Sequence, residues 1–85
     1  NNEQIEREVE HLRKVITRLG TPQADGKIGV TYGVLFDDEE GQDYFEALMG
    51  TLKAAKKRGV VDFQGQMLLK GAHDSVMVTL LKPLT

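Results

Sequence analysis

The stretch YFEALMGTLKAAKKRG, Tyr44 to Gly59, constrains this chain more than any other, because two independent patterns write it as one helix. Phe45, Leu48, Leu52 and Ala55 recur at i, i+3, i+7 and i+10, a single apolar stripe with Tyr44 and Met49 on its shoulders. Asp37, Asp38, Glu39, Glu40, Asp43 and Glu46 lie at or before its start, and Lys53, Lys56, Lys57 and Arg58 close it. That order complements a helix dipole, positive at the N-terminus and negative at the C-terminus. Gly59 is the expected C′ residue. Gly50 costs about 1 kcal/mol relative to alanine in mid-helix and predicts a close crossing with another element.

Upstream, Ile5, Val9, Leu12, Ile16 and Leu19 alternate spacings of four and three, which predicts an amphipathic helix from Glu3 to Leu19. Glu3 with Arg7 and Glu10 with Lys14 are spaced for i, i+4 support, and Gly20-Thr21-Pro22 gives a stop. The stripe also suits a coiled-coil seam. It lasts only about two heptads, however, and Val15 beside Ile16 widens it into a core-facing surface.

Gln23 to Lys27 reads as a polar turn around Asp25-Gly26, and Ile28 to Val30 as a short strand. Tyr32 to Asp38 is too short for periodicity to decide, and its acidic end favours a short second helix. Past Gly59 the texture becomes strand: Val60 to Phe63, a Gln64-Gly65 turn or bulge, Gln66 to Lys70, the loop Gly71 to Ser75, then Val76 to Leu81. The five-residue loop suits a hairpin between the last two strands. The expectation is an α+β fold, winged-helix-like, with three helices, a short strand and a C-terminal β-hairpin. Residues 1–85 form a single domain on this reading, and Asn1 in place of methionine suggests a piece of something longer.

A chain of 85 residues with 40% apolar and 28% charged residues is neither disordered nor membranous in composition. At this size folding removes only about 60 to 65% of the unfolded surface, which leaves little room for a deep catalytic cleft. The formal charge of −2 gives no general attraction for polyphosphate. With no cysteine, disulfides and thiolate metal sites are excluded, which fits a reducing cytoplasm. Uninterrupted apolar runs reach three residues, as in Val34 to Phe36, too short for a membrane span or signal segment.

Chemistry-bearing patterns are sparse. His11 on the polar face of the first helix and His73 in the hairpin loop read as surface histidines, not metal ligands. The acidic run at Asp37 to Asp43 misplaces the glycine of a calcium loop and has Leu48 where the bidentate glutamate belongs. Gly26-Lys27 lacks the glycine spacing and hydroxyl of a phosphate loop. Ser75 near His73-Asp74 crowds three groups onto one short loop. No catalytic residue, metal ligand or cofactor is therefore expected. The cations Lys53, Lys56, Lys57 and Arg58, joined by Lys70 from the hairpin, remain as a candidate binding patch. The helix dipole alone accounts for bases there, and four within six residues also suit an acidic partner. A nucleic-acid-reading helix fits less well, since its outward positions Ala47, Thr51 and Ala54 lack base-reading groups. An adaptor that docks its first helix through Ile5, Val9, Leu12 and Ile16 is a further alternative.

The segments ADGKIGVTYGVLFDD (Ala24 to Asp38), FEALMGTLKAAKKRGVVDF (Phe45 to Phe63) and QMLLKGAHDSVMVTLL (Gln66 to Leu81) resemble the costars domain, over about Leu12 to Leu81. That domain occurs in small stand-alone proteins and as the C-terminal domain of the striated-muscle activator of Rho signalling, also called actin-binding Rho-activating protein. The resemblance implies a winged-helix-like, non-catalytic module that binds filamentous actin in the cytoplasm. In muscle it further implies promotion of Rho-dependent, serum-response-factor-linked transcription. A monomer without cofactor, small-molecule substrate, nucleic acid or membrane is the corresponding expectation. Asp37 to Asp43 is more acidic than the stand-alone costars pattern, and Gly59 replaces a lysine that often extends the basic run. Both departures lower the positive potential.

Overall fold

The computed structural model describes residues 2–38 and 48–84. Helix α1 (Asn2–Leu19) leads into strands β1 (Thr21–Pro22) and β2 (Ile28–Thr31). Helices α2 (Tyr32–Asp37) and α3 (Leu48–Lys57) follow, then strands β3 (Val61–Asp62) and β4 (Met77–Leu80). The fold is α+β, with three helices among the described residues against an antiparallel sheet in the order β1-β2-β4-β3. Tyr44, Phe45, Glu46, Ala47 and the acids Glu39, Glu40 and Asp43 lie outside the described residues.

Helix α1 packs on α3, β2, α2 and β4. Val9, Leu12, Val15 and Ile16 are buried and Ile5 and Leu19 half-buried, so the first helix uses its stripe on its own core. Both the coiled-coil seam and the first-helix adaptor are thereby overturned, because the face they need is already covered. The expected Glu10–Lys14 pair is replaced by Glu10 with Arg13, at 2.6 Å. Arg13 also donates to the carbonyls of Lys82 (2.9 Å) and Pro83 (2.7 Å), fastening the C-terminal tail to α1. Facing the helices, Val30 pairs with Val78 and Val61 with Leu80, all four buried on one sheet face.

Strand β4 is an inner strand, between β2 and β3, and here the sequence misleads. Its hairpin partner is β3, and Gln66 to Lys70 forms no strand. Side chains take the backbone donors a neighbouring strand would need. Leu68 N lies 3.1 Å from Met49 Sδ, and Leu69 N donates to His73 Nδ1 at 2.8 Å. Gly65 and Gly71, at φ 89° and 94°, turn the chain at either side. Thr21–Pro22, read as a helix stop, also pairs with β2, across the Asp25-Gly26 turn that Lys27 N closes on Asp25 Oδ1 at 2.9 Å.

Two expectations for α3 also change. Gly50 is exposed and marks no close crossing with a described element, and Thr51, taken as outward, is buried beside Leu52 and Ala55 against α1. The helix end is as expected. Gly59 takes φ 73°, its N–H donates to Lys56 O at 3.1 Å, and Val60 N donates to Ala55 O at 2.9 Å. These two bonds are the Schellman pattern, with Val60 and Ala55 supplying its apolar contact.

Candidate functional site

The cap at Gly59 turns the chain back past the end of α3, and the bend at residues 64–66 brings the following loop against the same helix face. Between them lies an open depression of about 420 Å3 lined by Lys53, Lys56, Lys57, Phe63, Gln66 and Met67. The five cations picked from sequence separate into three roles. Lys53 and Lys57, one turn apart on the exposed face, have no hydrogen-bond or ion-pair partner among the described residues. Lys56 is structural. Its ammonium donates to the carbonyls of Phe63 (2.6 Å) and Gly65 (2.7 Å), lies 4.4 Å from the Phe63 ring centroid, and is 4.0 Å from Asp62 Oδ1.

Arg58 lines no part of the depression. It donates to Ala54 O at 3.2 Å, while its own carbonyl accepts from Lys82 Nζ at 3.2 Å. Lys70 is also elsewhere: it bonds Asp74 (3.0 Å), pairs with Asp37 (3.5 Å) and sits 5.8 Å from the Phe36 ring centroid. That removes Lys70 from the basic patch, because two carboxylates already answer its charge. Phe63, Gln66 and Met67 were missed as neighbours of the lysines. The Gln64-Gly65 pair was the available signal, since a tight reversal there returns the next residues toward the helix end.

The loop from Leu68 to Val76 is closed by its own side chains. Asp74 accepts from Gly71 N at 2.7 Å, and its carbonyl accepts from Gly33 N at 3.0 Å. The Gly71 N–H first, and Lys70 second, hold the Asp74 carboxyl below its ordinary value, and Asp74 in turn raises the Lys70 ammonium. Burial, with Asp74 adding to it, pushes the Tyr32 hydroxyl up. His73 is half-buried and organises this turn, and His11 is half-buried as well, so neither is the free surface histidine expected. Among the described residues no three His, Asp or Glu side chains gather as a metal site.

The Costars family profile matches residues 4–81. The chain is 58% identical over 78 residues to Protein costars of Dictyostelium discoideum, covering 92% of this chain and 95% of that protein. Against Costars family protein ABRACL of Coturnix coturnix it is 53% identical over 78 residues, covering 92% and 96%. The solution structure of human HSPC280 protein superimposes with a TM-score of 0.86 at 50% identity, covering 94% of each chain. A profile match across nearly the whole chain, joined to full-length relatives above half identity, settles the point: the chain belongs to the Costars family.

Proposed function

We propose that this chain is a non-catalytic actin-binding module that engages filamentous actin through the end of α3 and the loop beside it. The single observation carrying this reading is the pair Lys53 and Lys57, exposed on one helix face and unanswered by any described carboxylate. The costars resemblance supplies the partner, and the lysine pair supplies a surface on which an acidic protein face can dock. In this reading the module acts as a cytoplasmic monomer, and its link to Rho and serum-response-factor signalling runs through filament assembly. Co-sedimentation tests it. Reversing Lys53 and Lys57 to Glu is expected to weaken filament binding by about tenfold or more at low ionic strength. Binding of the unaltered chain should also fall steeply with added salt. Lys56 is left intact in this design, since its reversal would disturb the loop. Pelleting of the double variant at the original level would place the contact elsewhere.

A further inference from the structure

Resting on that reading, we infer that the depression beside α3 recognises a short acidic peptide segment carrying an apolar side chain, so that it reads charge and shape together. Among the described residues three ammonium groups and no carboxylate line it, with Asp62 outside the lining at 4.0 Å from Lys56. Lys56 is held in place by two carbonyls and a ring, so its charge is a fixed feature of the wall. Lys53 and Lys57 are unpaired among the described residues and can follow a ligand. The apolar part of the wall is equally defined. Met67 is 49% exposed, yet its neighbour Leu68 is buried and has its N–H against Met49 Sδ, which holds Met67 out over the depression. A thioether presented in this way adapts to an incoming aliphatic group. Phe63 is 4% exposed and offers no free face for base stacking, and the molecule's net charge of −2 repels an extended polyanion. A local segment with carboxylates around one apolar residue satisfies both parts of the wall.

The test is an NMR titration of the 15N-labelled full chain with acetyl-Asp-Glu-Leu-Glu-Asp-amide, the same peptide with Ser for Leu, and inorganic phosphate. The leucine peptide is expected to shift the amides of Lys53, Lys57, Gln66 and Met67 and to bind about fivefold more tightly than the serine peptide. Met67→Ser should bring the leucine peptide down to the serine level and leave the serine peptide unchanged, a coupling that general loss of structure would not produce. Replacing Lys53 and Lys57 by Gln should abolish both, with the remaining spectrum confirming the fold. Equal binding by all three probes, or no shift in this region, overturns the inference. Filament pelleting run in parallel separates the two readings. A chain that pellets but ignores the leucine peptide keeps actin binding and loses this site chemistry; one that takes the peptide but stays in the supernatant does the reverse.

Discussion

Lys56 and Lys53 are one helical turn apart and chemically alike, but the structure gives them opposite duties. Replacing Lys56 by Met keeps the stem and removes the donor from two carbonyls, so urea unfolding is expected to show a loss of about 1 to 2 kcal/mol, moderated by the group's partial exposure. The same change at Lys53 should stay within about 0.5 kcal/mol. Leu52 has no exposed surface, and Leu52→Ala should cost about 2 to 5 kcal/mol through the cavity it leaves. At Gly20 a Cβ would stand 2.7 Å from Ile16 O and 2.9 Å from Gly29 O. Backbone oxygens yield little, so Gly20→Ala should lower stability by about 1 to 3 kcal/mol by the same measurement.

Among the elements, helices were legible and pairing was not. Ile5 to Leu19 and Leu48 to Ala55 announced their faces because a 3.6-residue period repeats often enough in them to be seen. The cap at Gly59 was legible because only glycine takes φ 73° freely. Met67-Leu68-Leu69 looked like a strand because apolar composition does not reveal where backbone donors go, and Met49 and His73 take them. Lys70 looked like a fifth patch cation because one of its two partners, Asp37, is far away in sequence, and the other, Asp74, lay on a stretch that read as a plain hairpin loop. The loop they form has its own acid sensitivity. Asp74 titrates below its ordinary value of 3.8, so its contribution is complete above that value and is lost as pH falls through the depressed one. Amide exchange at Gly71 and Gly33, referenced to intrinsic rates, should lose protection on acidification below about pH 4, ahead of the β4 amides.

For the whole molecule, Leu12, Leu35, Leu52, Leu68 and Val78 are all buried in a single cluster, so every layer shares one core. Unfolding should therefore be one transition, with far-ultraviolet dichroism and the environment of buried Tyr32 changing together; separated midpoints would show that the sheet and helices melt apart. Charge, by contrast, is unevenly distributed. A molecule with formal charge −2 still presents a lysine-lined depression, so a partner feels a local attraction within the Debye length and weak repulsion beyond it. The ammonium that closes the 63–65 bend adds a chemical vulnerability to this design. Acetylating Lys56 would remove one of the wall's three charges and release the bend in one event, whereas acetylating Lys53 would subtract charge and leave the shape standing.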